Sequence, residues 1–232
     1  MKRLFFILFT AAALLLCACT AKNNASPSPD AADLSPDAVS SATMDRYREN
    51  EIQDYQGIRL DPAVGPRDNS ISGVQQVDIG DYTLTIDGLV DNEQTLTYDD
   101  VLAMAPDARL ITLHCVEGWD ATILWEGVRL TDLIDLAGAQ PEAVTVIFSA
   151  VDGYTTSLPY DTIKNNQLIL AYNANSIALP PEMGYPFIVV AEDKLGYKWA
   201  RWVNRITLSD NKDYEGYWEQ RGYSNTADVK PS

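Results

Sequence analysis

Histidine occurs once in this chain, as His114, and cysteine three times, as Cys17, Cys19 and Cys115. A single imidazole cannot build a histidine-rich metal cluster. Two of the three thiols lie within the first 20 residues, so Cys115 has no partner in the body of the chain. That leaves it as a buried filler, half of an intermolecular bridge, a reactive nucleophile or a soft metal ligand. Basic residues are also scarce, 17 Lys and Arg against 33 Asp and Glu, for a net charge of −16. Such a chain repels phosphate backbones, which excludes nucleic acid as an expected partner. The longest apolar run, Leu4 to Leu16 broken only by Thr10, is too short to span a bilayer comfortably. A P-loop, a dinucleotide fingerprint, a zinc-finger spacing, a nucleophile elbow and a Cys-x-x-Cys-His haem motif are all missing.

What is present begins with a leader. Lys2 and Arg3 precede the apolar run, which ends in Leu16-Cys17-Ala18-Cys19. Leucine, a small residue and then cysteine resemble the lipobox of bacterial lipoproteins. The expectation is a signal peptide over 1–18, lipid on Cys19, and an exported protein held on the extracytoplasmic face or in the periplasm. Residues 20–41 are rich in Ala, Ser, Pro, Asn and Asp without apolar periodicity and read as a disordered tether. Residues 44–68 are polar with two tyrosines and read as an irregular arm. The folded domain is expected over 69–232.

Within that domain, Tyr82–Ile86 alternates as a half-buried strand, and Thr97 caps a short helix reaching Ala105 before Pro106. Arg109–Val116 and Ala121–Trp125 read as strands, with Glu126-Gly127 as a turn. Asp132–Ala137 reads as a helix capped by Thr131 and closed by Gly138. Val144–Phe148 and Tyr154–Leu158 form a hairpin about Asp152-Gly153. Leu168–Tyr172, Phe187–Ala191 and Lys198–Leu208 are further strands. Many strands and few short helices, without a βαβ rhythm, give an α+β fold of mixed β-sheets.

Two features carry chemistry. Cys115 follows His114 directly, and neighbours on a strand point to opposite faces, which argues against a Cys–His nucleophile pair. Lys194, Lys198, Arg201 and Arg205 fall close together in a stretch without an acid. They form either an anion cradle, such as one for a phosphate, or a solvated strand edge guarded by lysines. The C-terminal Gly216-Tyr217-Trp218-Glu219, with Tyr223 and Asn225, either covers an edge of the domain or meets a partner.

The segments HCVEGW, LWEGVRLTDLI, DGYTTSLP, LPPEMGYP and GYKWARWVNRI, in this order, resemble the molybdopterin-binding domain of the sulfite oxidase family. The resemblance runs from Asn69 to Val229 and is strongest to the small members with a Cys-Val-Glu-x-Trp motif, the group that includes the methionine sulfoxide reductase catalytic subunits. It implies a molybdenum-molybdopterin cofactor (tungsten possible) with Cys115 as the protein's ligand to the metal. It also implies cofactor contacts at Asn69, Ser72, Gly73, Lys198, Trp199, Ala200 and Arg201. Thiolate suits such a metal, being soft and strongly donating. Met183, Ile188 and Ala150 are apolar where those reductases carry asparagine, arginine and threonine. Sulfite oxidases have arginines just after the ligand cysteine; here Glu117 and Trp119 suit a neutral substrate better.

The expected function is oxygen-atom transfer to or from a small substrate, with S-oxide reduction ahead of sulfite-type oxidation. Electrons would pass to or from a separate carrier protein or a quinone-linked membrane partner, and a monomer is expected. No catalytic acid or base stands out. One alternative is a lipoprotein binding module that keeps the fold without the metal. It is favoured by the leader, which lacks the twin arginine with which the family's loaded members are exported. A thiol-redox role for Cys115 is weaker, since no resolving cysteine exists.

Overall fold

The computed structural model describes residues 38–230. The expected signal peptide, the lipidation site Cys19 and most of the tether lie outside the described residues. Among the described residues the fold is α+β, with two five-stranded sheets, one two-stranded hairpin and four short α-helices.

The arm is more ordered than its polar composition suggests. Helix α1 (Ser41–Arg48) starts at Ser40, whose hydroxyl accepts the Thr43 N–H. A small hairpin of β1 (Asp54–Tyr55) and β2 (Ile58–Arg59) follows. Leu60, Ala63 and Val64 are buried, as is Glu51. The Glu51 carboxylate accepts from Ala63 N–H at 2.8 Å and from the Asn175 amide at 2.9 Å, which fastens the arm to the body.

The first large sheet runs β10–β9–β6–β5, with β11 beside β10 on the far side of β9. Its strands are β5 (Asp107–His114), β6 (Asp120–Arg129), β9 (Ile169–Ala174), β10 (Ile177–Ala178) and β11 (Ile188–Val190). The hairpin of β5 and β6 pairs from Asp107↔Gly127 to His114↔Asp120. Glu126-Gly127 is not the expected turn; β6 runs straight through it. Glycine is needed there because β9 crosses so closely that a Cβ on Gly127 would lie 2.1 Å from the Leu170 carbonyl oxygen. The register of β6 against β9 shifts at this point.

The second sheet runs β4–β3–β12–β7–β8. It comprises β3 (Leu84–Gly88), β4 (Gln94–Leu96), β7 (Thr145–Ala150), β8 (Thr155–Pro159) and β12 (Val203–Ser209). The β3–β12 pair is parallel and joins an early strand to a late one; the other pairs are antiparallel. Helix α2 (Tyr98–Leu102) begins at the expected Thr97, whose hydroxyl and the Asp100 carboxylate form a reciprocal capping box. Helix α3 (Leu130–Ala137) buries Leu130, Leu133, Ile134 and Ala137, an i, i+3, i+4, i+7 stripe, and ends at Gly138 in the left-handed region as expected. It starts two residues earlier than expected and has no side-chain cap; Arg129, not Thr131, precedes its first turn. Helix α4 (Tyr160–Asn166) gives little sign of itself in the sequence, because only Ile163 of its residues is buried. Buried side chains from both sheets form one continuous core. Lys198, expected at the start of the last strand, instead lies in a single 3-10 turn, Gly196–Lys198.

Candidate functional site

Cys115 sits at the tip of the β5–β6 hairpin, in the five-residue connection Cys115 to Trp119. The loop is closed by Cys115 N–H to the Trp119 carbonyl at 2.9 Å and Gly118 N–H to the Cys115 carbonyl at 3.1 Å. Gly118 takes φ +85, which a side chain would resist. At the base of the loop His114 Nδ1 lies 2.8 Å from Asp120 Oδ1. His114 is thus paired across the hairpin with Asp120, which leaves the thiol without a histidine base.

The thiol opens into a cavity of about 350 Å³, a size that suits a small-molecule site. Six pieces of chain wall it, one of them the turn before β11 with Glu182 and Met183 and β11 itself with Ile188. The arm brings Arg67, Asp68 and Asn69; the hairpin tip brings Cys115, Glu117 and Trp119; the β7–β8 turn brings Asp152 and Tyr154. The stretch after β11 adds Tyr197, Trp199, Arg201 and Trp202, and the C-terminal segment adds Trp218 and Tyr223. Asn69 takes φ +51, a left-handed conformation that asparagine tolerates. From there its amide reaches the Cys115 sulfur at 3.6 Å and Glu117 Oε2 at 3.2 Å. Glu117 also receives the Trp119 indole N–H at 3.4 Å and lies 3.5 Å from Arg67 Nε. The arm passes so tightly over the loop that a Cβ on Gly65 would lie 2.7 Å from the Trp119 ring.

Burial pushes the Cys115 thiol above its ordinary range; the Glu117 carboxylate pushes the same way, while backbone N–H groups of Glu117 and Val116 and the charge of Arg201 oppose it. A raised thiol is a poor nucleophile at neutral pH. Arg201 donates to the Glu182 carbonyl at 2.8 Å and to the Asp68 carbonyl, and lies 3.5 Å from the Asp68 carboxylate. Burial lowers its affinity for a proton against the opposing charge of Asp68, and a guanidinium stays charged in either case.

The structure brings four of the expected site residues to the cavity, Cys115, Asn69, Trp199 and Arg201. It does not bring the other four. Ser72 and Gly73 are exposed on the chain beyond Asn69, and Ala200 is fully buried behind it. Lys198 is also fully buried, and its ammonium donates to Ser157 O at 3.0 Å, Asn225 Oδ1 at 2.9 Å and Glu219 Oε1. Burial lowers the lysine's pKa against the opposing pull of Glu219.

The four-cation cradle therefore does not form. Lys194 pairs with Asp228, Lys198 with Glu219, Arg201 with Asp68 and Arg205 with Asp87. Each acid comes from a distant part of the chain, which is why the stretch looks uncompensated in sequence. Of the three apolar departures, Met183 and Ile188 line the cavity, whereas Ala150 does not. Tyr154 both lines it and anchors a turn, its hydroxyl donating to the Tyr197 carbonyl. Glu219, Asp68 and Glu182 do not stand out in the sequence; an acid inside the aromatic Gly216–Glu219 motif is the only signal for the first.

Among the described residues no group of three or more His, Cys, Asp or Glu is placed to hold a metal ion. A metal on Cys115 must take its remaining ligands from a cofactor that carries them, and a metal bound through a cofactor's own sulfur atoms meets that requirement. The residues fit that end of a molybdopterin. The wall offers two guanidinium groups, Arg67 and Arg201, against four carboxylates, Asp68, Glu117, Asp152 and Glu182, so it adds no excess of positive charge for an anionic end.

Residues 71–218 match the family model described as "Oxidoreductase molybdopterin binding domain". The chain is 35% identical over 147 residues to the uncharacterized oxidoreductase YuiH of Bacillus subtilis, spanning 63% of this chain and 74% of that protein. It is 34% identical over 152 residues to the putative protein-methionine-sulfoxide reductase subunit YedZ1 of Azospira oryzae, spanning 65% of this chain and 57% of that one. In fold it is similar to the sulfane dehydrogenase SoxCD of Paracoccus pantotrophus, with a TM-score of 0.59 and 21% identity over 83% of this chain and 58% of that chain. With a thiol at the floor of an aromatic cavity and the family's motifs set around it, the chain belongs to the molybdopterin-binding oxidoreductases of the sulfite oxidase and methionine sulfoxide reductase type.

Proposed function

We propose that this protein is a lipid-anchored, extracytoplasmic molybdenum-pterin enzyme that transfers an oxygen atom to or from a small neutral substrate, with S-oxide reduction as its favoured direction. The observation that carries this is the placement of Cys115, the one thiol of the described body, at the floor of a cavity with Glu117 beside it. When bound, the cofactor supplies oxygen-atom exchange coupled to two electrons.

The residues around it have definable tasks. Cys115 would hold the metal, as a thiolate that has given up its proton. Arg201 balances the charge of the thiolate, and the Asn69 amide orients the sulfur and Glu117 together. Trp199 packs at the cavity wall. Glu117, held by Arg67, Asn69 and Trp119, presents negative charge where an anion such as sulfite would approach, which disfavours sulfite and leaves a neutral sulfoxide unopposed. Tungsten in place of molybdenum is compatible with the same thiolate donor.

Support for the substrate class comes from the relative named as a putative methionine-sulfoxide reductase subunit. The word subunit in that name supports a separate partner chain, which we take to be the electron carrier. The lipobox-like Leu16-Cys17-Ala18-Cys19 supports export and anchoring through Cys19. A second reading, a binding module without the metal, is favoured by one observation: Lys198 is fully engaged by protein acceptors.

Elemental analysis and absorbance of protein exported by its native host decide between them. The expected result is molybdenum or tungsten near one per chain with thiolate-to-metal absorbance, both lost in Cys115→Ser, and sulfoxide-dependent oxidation of a reduced viologen dye. A colourless, metal-free wild type, or full metal in Cys115→Ser, would sink the enzyme proposal.

A further inference from the structure

The C-terminal segment after β12 is held in an unusual way. Over residues 211–230 only Gly216, Glu219 and Ala227 are buried, so apolar burial does little to fix it. Yet two of its rings, Trp218 and Tyr223, form the outer wall of the cavity, 5.1 Å apart, with Tyr223 also 5.2 Å from Tyr197.

What fixes it is polar. Its far end is tied to the 193–197 loop, with Leu195 N–H donating to the Ala227 carbonyl at 2.8 Å and Tyr197 Oη to the Ser224 carbonyl at 2.8 Å, and its near end is held internally. The segment passes along β8, the edge strand of its sheet, with Tyr217 N–H donating to the Thr155 carbonyl at 2.8 Å. Between the two cavity rings lies Glu219, whose Oε1 accepts from Thr156 Oγ1 at 2.7 Å and from Lys198. The Lys198 ammonium has three N–H donors and spends them on Ser157 of β8 and on Glu219 and Asn225 of the segment. No donor remains for an occupant of the cavity, and neither Lys198 nor Glu219 lines it. Glu219 Oε2 is buried without a partner, so the carboxylate's charge is met through one oxygen alone.

We infer that Lys198 and Glu219 are a buried clamp that draws the C-terminal segment onto β8 and thereby positions Trp218 and Tyr223 against the substrate side of the cavity. Lys198 is thus a positioning residue acting through Glu219. Family resemblance alone would give this lysine to the cofactor. The inference rests on the molybdenum-pterin proposal only for what the aromatic wall faces; the clamp itself does not need it.

The test uses the full chain in wild type, Lys198→Met, and the double variant Lys198→Met/Glu219→Leu. Three quantities are measured: tryptic cleavage at Lys212 and Arg221, metal per chain, and the kinetics of sulfoxide reduction. A lone buried carboxylate is costly whereas an apolar pair of similar size is tolerated, so Lys198→Met should release the segment and the double variant should restore it. The expected result is cleavage faster by about tenfold in Lys198→Met, returning to within about threefold of wild type in the double variant. Metal per chain stays at the wild-type level in both, and in Lys198→Met KM rises about tenfold while kcat changes less than about threefold, because binding and not chemistry has been loosened. Loss of metal in Lys198→Met without recovery in the double variant would overturn the inference, as would unchanged cleavage. Should Lys198→Met fail to fold, the double variant alone decides: protected and metal-loaded supports the clamp, protected but metal-free overturns it. If the wild type carries no metal, the functional proposal fails, and the cleavage comparison still judges the clamp.

Discussion

Asn175 holds the arm to the body, and replacing it with alanine tests whether the arm is part of the fold. It is fully buried and takes φ +48. Its amide donates to Glu51 Oε2 at 2.9 Å and to the Asp61 carbonyl at 2.8 Å, and its oxygen accepts the Leu124 N–H at 3.0 Å. Alanine removes all three. The Leu124 N–H is left buried and unpaired, whereas Glu51 keeps Ala63 on the same oxygen and Arg48 on the other, which limits the cost of that end. At about 1 kcal/mol for each lost bond and about 1 more for the stranded groups, the variant loses about 4 kcal/mol. In a domain of this size that lowers Tm by about 8–16 °C. Asn175→Gly separates the backbone part, since glycine accepts the left-handed conformation, and should recover about 1 kcal/mol of the loss. The assay is urea and thermal unfolding by circular dichroism, with proteolysis of the arm alongside. A loss below about 1 kcal/mol in Asn175→Ala would refute the assignment of this hub.

Two further outcomes follow from the geometry. Gly127→Ala forces a Cβ to 2.1 Å from the Leu170 oxygen and 2.5 Å from the Ala171 Cα, and both are backbone atoms that cannot swing away. Its unfolding free energy should fall by about 3 kcal/mol, and a near-neutral result in urea unfolding would show that β6 and β9 are less tightly apposed. Burial pushes the Tyr98 and Tyr197 phenols up to about 12 from the ordinary 10.0, with nearby acids and tyrosines adding to it. The folded state thus holds these protons more tightly than the unfolded one, so their contribution is complete below pH 10 and is lost as pH rises through the window from about 10 to 12. Phenolate absorbance should therefore develop late and together with unfolding, and two phenols titrating independently near 10 would contradict this.

The legible parts of the sequence are those decided locally. Thr97 before its helix, Gly138 after Ala137, and Asp152-Gly153 between two strands each act within a few residues, and each is found in its expected role. Cys115 is legible because cysteine is so scarce: the described body holds no second thiol with which it could form a disulfide. The illegible parts depend on partners far along the chain. The need for glycine at position 127 comes from β9 and not from its neighbours, so in sequence a crossing looks like a turn. Lys198 looks available because Glu219 and Asn225 follow it only after another strand has been built. The arm looks irregular because its anchor, Glu51, is a charged residue whose burial depends on Asn175. Each of these requires the fold before it can be seen.

The parallel pairing of β3 with β12 has a consequence in time. Leu84–Gly88 meets β4 at once, but it can find its parallel neighbour only when Val203–Ser209 has been made, and between them lies most of the domain. The second sheet therefore has no complete centre until synthesis has passed residue 209, and contacts of such long separation form slowly. Trp218 and Tyr223, and the Glu219 that fixes them, arrive later still. Trp218 and Tyr223 are the last of the cavity's lining residues to be made, so in the order of synthesis the Cys115 loop exists before that side of the cavity does.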